Sequence, residues 1–133
     1  MIYLAGPYSN DAPTNPERKA SPEKRLARFN AVTEVSRLLI EQSEVVYSPL
    51  TMTHPIDLRM QHDPGSAFWV SFDESFMVHC DRLLVLKLPG WEGSAGIRRE
   101  LEFFSARGIQ PEWLEPDHFG INGHHPDFSA AFS

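Results

Sequence analysis

Arg82-Leu83-Leu84-Val85-Leu86-Lys87-Leu88, closed at once by Pro89-Gly90, is the stretch that decides the fold. Its interior is almost continuously apolar, without alternation of polar and apolar positions. A strand of this kind buries both faces, as strands do in parallel sheets covered by helices on each side. Downstream, residues 95–107 carry a helical period, and Gly108 is placed to cap that helix. Ile109-Gln110 begins a further short strand. Upstream, residues 66–79 read as a helix with Trp69, Phe72, Phe76 and Val78 packed inward, and residues 44–48 as a strand stopped by Pro49. Between these two, residues 49–65 hold Pro49, Pro55, Pro64 and Gly65 and read as loop-rich. Ser21 is a helix N-cap with Pro22 at the first helical position. The helix it opens runs to about Gln42 on a stripe of Leu26, Phe29, Val32, Val35, Ser36 and Leu39. Residues 10–22, polar and carrying Pro13, Pro16 and Pro22, read as a loop. Residues 1–5 are apolar and run into Gly6-Pro7, a first strand and its turn.

Strand and helix therefore alternate. Alternation predicts an α/β fold: an open, mainly parallel, flavodoxin- or Rossmann-like sheet of 4–5 strands with helices on both faces. Ligands of such sheets bind beyond the carboxyl ends of the strands. The 133 residues suit a single domain over 1–133, and 41% hydrophobic content suffices for a core. Residues 111–133 lack periodicity but hold Trp113, Phe119, Phe128 and Phe132, so they are expected to pack on the body or on a second subunit. A net charge of −6 argues against nucleic acid or an anionic membrane as partner, since both require a basic face. The single cysteine, Cys80, forms no internal disulfide, and no apolar run approaches the ~20 residues of a membrane span, so a cytoplasmic location is expected.

Chemistry is sought after the strands. Gly6-Pro7-Tyr8-Ser9 follows the first; its glycine permits close backbone approach, and Tyr8 and Ser9 add hydroxyls. It is not a dinucleotide fingerprint. His54 follows the second strand and is a candidate ligand for a phosphate or a base. The remaining histidines show no zinc spacing, so no metal is expected, and without a dinucleotide fingerprint an organic cofactor of the nicotinamide type is not expected either. After the third strand, Gly90-Trp91-Glu92-Gly93-Ser94-Ala95-Gly96 opens a helix. Free N–H groups there suit an anion, while Ser94 also suits a plain N-cap. Trp91 either stacks on a base or covers the core. On that helix Leu101 and Phe104 lie within ~40° of Ile97, and Glu100 lies ~60° from it, at the edge of the buried stripe. Its carboxylate is expected to be favoured by the helix dipole. Asp73 sits among aromatics, where a raised pKa would suit a proton donor. Asp81 reads as structural.

Three pieces together resemble the nucleoside 2-deoxyribosyltransferase superfamily, which includes the 2′-deoxynucleoside 5′-phosphate N-hydrolases. They are the first strand into Gly6-Pro7-Tyr8-Ser9, Asp73 before Cys80-Asp81-Arg82-Leu83-Leu84-Val85, and Ser94-x-Gly96-x-x-x-Glu100 followed by Ala106-x-Gly108. The resemblance covers about residues 1–110. It implies that Glu100 is the nucleophile, Asp73 the acid and Tyr8 a tyrosine orienting the nucleophile. Ser94 and Gly96 would hold a 5′-phosphate. Gly6, Ser9 and His54 remain candidate substrate contacts on their own positions after the strands. Arg18, Lys19, Arg25 or Arg28 would supply cations. The implied reaction is hydrolysis of the N-glycosidic bond of a (deoxy)nucleoside 5′-monophosphate. Transfer between free nucleosides, or nucleotide binding without turnover, are the alternatives. A homodimer or higher oligomer is implied as well.

Overall fold

A computed structural model of the chain describes residues 1–11 and 15–133. Four parallel strands form the main sheet: β1 (Ile2–Ala5), β4 (Val46–Tyr47), β5 (Arg82–Leu86) and β6 (Pro111–Leu114), in the spatial order β4-β1-β5-β6. Ile2 pairs with both Val46 and Arg82, and Leu83 with Pro111. The alternation of β1 and β5 divides the core into two. Ile2, Leu4, Leu84 and Leu86 face one side with Val32, Val35 and Leu39. Tyr3, Ala5, Leu83 and Val85 face the other with Ile97 and Phe104. Both sides of β5 are thus buried, each large side chain stabilising the fold by about 1.5–3 kcal/mol. The expected α/β sheet is the one found. The second strand is shorter than its apolar run, and the last begins at Pro111, beyond Ile109-Gln110.

The first-named face is covered by α1 (Pro22–Glu41). Ser21 caps it, its hydroxyl accepting from the Lys24 amide at 3.1 Å. The buried stripe is Ala27, Arg28, Ala31, Val32, Val35, Ser36 and Leu39, while Leu26 is 48% exposed. Leu26 is therefore not part of the inward face. The small Ala27 and Ala31 bring the helix close to the sheet, and that sets a phase the leucine does not share. On the other face lie α3 (Ser66–Met77) and α4 (Ala95–Ala106). Ser94 caps α4, its hydroxyl accepting from the Ile97 amide at 3.2 Å. At the other end Gly108 takes φ +75°, and the Gly108 and Ile109 amides bond back to Ser105 and Phe104. Only Met77 of α3 is buried. Trp69, Phe72 and Phe76 are half-buried and Val78 is 52% exposed, contrary to the inward packing expected. Trp69 and Phe72 meet edge to face, centroids 5.5 Å apart, and of the three rings Phe76 reaches the sheet, stacking on Tyr47 of β4.

Two stretches read as loops are ordered elements. Ser48-Pro49 starts α2 (Pro49–Asp57), Ser48 accepting from the Thr51 amide at 3.3 Å. This is the cap-and-proline signature of α1 repeated, and Pro55 shortens the helix without preventing it. In 10–22, β2 (Asn10–Asp11) and β3 (Asn15–Lys19) pair antiparallel. Pro13 and the side chains of Pro16 and Arg18 lie outside the described residues. The C-terminal segment packs on the body: Ile121, Phe128 and Ala131 are buried, and Ile121 and Phe128 join Val32 and Val35 in the α1-side core.

Candidate active site

β1 and β5 are neighbours whose following connections lead to opposite edges of the sheet, β4 on one side and β6 on the other. Chain order reverses between them, and such a switch point opens a crevice at the carboxyl ends of the strands. A cleft of about 750 Å³ lies there. Gly6, Tyr8, Ser9, Asp73, Ser94, Gly96 and Glu100, all singled out from the sequence, line it. Gly6 is needed for packing as well: a Cβ there would sit 2.9 Å from Val32 Cγ2. At Gly96 a Cβ would meet only Ser94 Oγ at 3.7 Å, so packing does not demand glycine.

Glu100 forms the buried face of α4 with Ile97 and Phe104 and is 9% exposed. Burial pushes its pKa up to about 8; the neighbouring Tyr3 hydroxyl and Arg99 pull it down, while Asp73 adds to the rise. The dipole at the helix start is outweighed, so the carboxyl expected to be ionised is instead disposed to keep its proton. Asp73, presented by α3, is raised to about 6 by burial, with Arg99 opposing. That is the shift its aromatic surroundings predict. The two acids thus titrate as a pair with separated values.

Two tyrosines unnoticed in the sequence lie against this pair. The Tyr3 and Tyr47 hydroxyls are buried without a hydrogen-bond partner of full geometry among the described residues. Tyr3 is nonetheless near enough to Glu100 for each to perturb the other's ionisation. An unsatisfied buried hydroxyl costs about 1–3 kcal/mol, which makes two of them beside two acids noteworthy. Their sequence signal was masked because a tyrosine in an apolar strand counts as core.

Tyr8 does not approach Glu100 as the resemblance implies. It follows β1 by three residues and turns toward α2, its hydroxyl 2.6 Å from His54 Nδ1 and donating to Asp57 Oδ2 at 3.2 Å. Burial and the Asp57 charge push its pKa up to about 12. The tyrosine beside the nucleophile candidate is Tyr3. His54 is 3% exposed and packs its ring on Phe29, 4.6 Å between centroids, so it stands behind the wall and is not a ligand contact. Burial lowers its pKa and favours the neutral imidazole. Its place is to hold Tyr8.

One side of the cleft carries groups suited to an anion. Ser94, Ala95 and Gly96 begin α4, where backbone N–H groups lack intrahelical acceptors, and Ser94 retains its hydroxyl proton while capping. Lys19, Arg25 and Arg99 line the same cleft. Arg28, also a candidate cation, is fully buried and donates to the carbonyls of Tyr8, Asn10 and Pro89 at 2.8, 2.7 and 3.2 Å. It clamps the chain after β1 to the chain after β5, fixing two walls of the cleft. Trp91 packs on Trp113 at 5.1 Å and covers the core, outside the cleft lining. Among the described residues no cluster of three or more His, Cys, Asp or Glu could hold a metal, and no helix is long and apolar enough to cross a membrane.

Residues 1–113 match the family described as a domain of unknown function, DUF1937, and the chain belongs to that family. No curated protein matches it.

Proposed function

We propose that this DUF1937 family member hydrolyses the N-glycosidic bond of a (deoxy)nucleoside 5′-monophosphate, with Glu100 as nucleophile and Asp73 as general acid. The observation that carries the reading is Glu100 itself. It is a carboxyl buried at a cleft, one turn into a helix whose start suits a phosphate, with a second acid beside it. Its family resemblance to the deoxyribosyltransferases adds the reaction class.

The chemistry follows from charge. Breaking the bond from C1′ to the base nitrogen leaves its electron pair on the base, and Asp73 supplies the proton that base then needs. The sugar becomes cationic, and a Glu100 oxygen captures C1′. Water then attacks C1′, gives its proton to Asp73 and frees the Glu100 carboxylate. Reaction requires Glu100 ionised and Asp73 protonated, the reverse of the arrangement favoured in the empty cleft. Positive charge developing on the sugar favours the transfer of that one proton from Glu100 to Asp73. Activity is therefore expected to peak with one proton on the pair and to fall on either side, with flanks near pH 6 and pH 8. The 5′-phosphate would take Ser94, Gly96 and the cations Lys19, Arg25 and Arg99. The reading carries with it the homo-oligomer implied by the resemblance, which sedimentation checks.

A panel of nucleoside monophosphates and nucleosides assayed for free base tests the reading. Wild type should release base from a monophosphate, and Glu100→Gln should be slower by ~10³-fold or more. Equal rates in the two proteins would sink the assignment. A second base added to the assay separates outcomes, since a new nucleoside marks transfer and a free sugar phosphate marks hydrolysis.

A further inference from the structure

We propose that Tyr47 is a positioning residue for Asp73: it holds in reserve the O–H that donates to the Asp73 carboxylate whenever that acid has lost its proton. The proposal rests on the catalytic reading above only for the purpose of the contact. Its geometry is independent. Tyr47 is the register partner of Tyr3 on adjacent parallel strands, so both rings project from the same face of the sheet, 5.8 Å apart. That face is the one covered by α3 and α4. Tyr47 stacks flat on Phe76 of α3, with centroids 4.2 Å apart and planes 6° apart. Phe76 and Asp73 are three residues apart on α3 and share a side of the helix. The stack therefore brings the Tyr47 ring under the turn that carries Asp73.

At the end of that ring is a buried hydroxyl with no hydrogen-bond partner among the described residues. The carboxyl whose charge most opposes ionisation of Tyr47 is Asp73; burial opposes it more strongly still. The Tyr47 hydroxyl does not bond either Asp73 oxygen in this structure, so a small side-chain adjustment must bring the two together, and the full charge of the ionised carboxylate is the stronger acceptor that draws the donor in. In the proposed reaction this happens as Asp73 passes its proton to the leaving base. The tyrosine pair then divides the work: Tyr3 faces Glu100 and Tyr47 faces Asp73. The other charged groups acting on this pair are Arg99 from α4, which pulls both acids down, and Glu100 with Asp73 themselves. Cys80 also lies near Tyr47. Asp57, His62 and Asp63 stand across the cleft on α2 and the connection that follows it.

Tyr47→Phe keeps the ring and its stack while deleting only the hydroxyl. Carbon-detected NMR titration of the Asp73 carboxyl reads the contact directly, whether or not the protein turns over any nucleotide. The variant should raise the Asp73 pKa by about one unit, because the ionised form loses its donor. Its melting temperature should be equal or higher below about pH 5, where Asp73 is protonated and only an unpartnered hydroxyl has been removed, and lower above about pH 7, where the ionised acid has lost its donor. If base release is found, Tyr47→Phe should move the pH 6 flank upward and should have no further effect on rate in an Asp73→Asn background. An unmoved Asp73 titration would overturn the proposal even if wild type releases base. So would rate losses from Tyr47→Phe and Asp73→Asn that simply multiply. Failure of every substrate in the panel, with the titration shifted as expected, would overturn the catalytic reading and leave the contact standing.

Discussion

Under α1, two buried polar side chains close on the backbone, although Arg25 Nε and His54 Nε2 on that side have no hydrogen-bond partner among the described residues. Arg28 donates to three carbonyls of two loops, and the Ser36 hydroxyl donates to Val32 O at 2.9 Å. Across the sheet, under α3 and α4, buried polar groups are left open. The Tyr3 and Tyr47 hydroxyls have no hydrogen-bond partner of full geometry among the described residues, though Tyr3 stands beside Glu100, and Glu100 and Asp73 are held above their ordinary pKa values by burial. One face uses its best-bonded polar side chains to fix the architecture. The other gathers its open hydroxyls beside two carboxyls that line the cleft, a placement that keeps groups available for a ligand.

The contrast is open to attack by substitution, and the largest expected effect is on the open face. Glu100 titrates near 4.5 when unfolded and at about 8 when folded. Between those values the unfolded chain has released a proton that the folded chain retains, so rising pH favours unfolding. The penalty grows from about pH 4.5 to about pH 8 and is constant above. Urea unfolding should therefore show Glu100→Gln gaining on wild type between pH 5 and pH 8, by up to ~4 kcal/mol, while it loses function. A stability difference that does not change with pH would break the contrast. Arg28→Met attacks the closed face. It deprives three carbonyls of their donor and is expected to cost about 3 kcal/mol at any pH near neutrality. Because Arg28 ties together two cleft walls, base release should fall with it. Gly6→Ala is the smallest of the three. Its Cβ would press on Val32 Cγ2, costing about 2 kcal/mol, and the cost should shrink by half or more in a Val32→Ala background. Equal costs in both backgrounds would mean that the two residues do not meet as described.

Much of this was legible in the chain. The run 82–88 specified a doubly buried strand, Ser21-Pro22 specified a helix start, and the phase of Ile97 and Phe104 turned Glu100 inward. Gly6, Tyr8, Ser9, Ser94 and Gly96 were named because they follow a strand or open a helix, Glu100 for its helical phase and Asp73 for its aromatic surroundings. What was missed has physical causes. The Ser48-Pro49 helix start was hidden by Pro55 and the prolines after it, although its cap repeats that of α1. Pro111–Leu114 is too short and too mixed in polarity to declare itself as a strand without β5 beside it. Trp69, Phe72, Phe76 and Val78 suggested a buried helix, because hydrophobicity does not distinguish a ring that reaches the sheet, as Phe76 does, from rings that pack edge to face on one another, as Trp69 and Phe72 do.

By itself the sequence determined the alternation of the main strands and helices, the parallel character of the sheet and the positions of Glu100, Ser94 and Gly96 on the helix that follows β5. These follow from local rules of spacing, capping and chain punctuation, which need no partner distant in the chain. Tertiary structure alone decided which tyrosine stands beside Glu100, because Tyr3 and Tyr8 differ only in where β1 stops and which helix lies beyond. It also decided the protonation of Glu100. A helix dipole is readable from a neighbouring residue, but desolvation depends on what the whole chain packs around the carboxyl, and here burial outweighs the dipole.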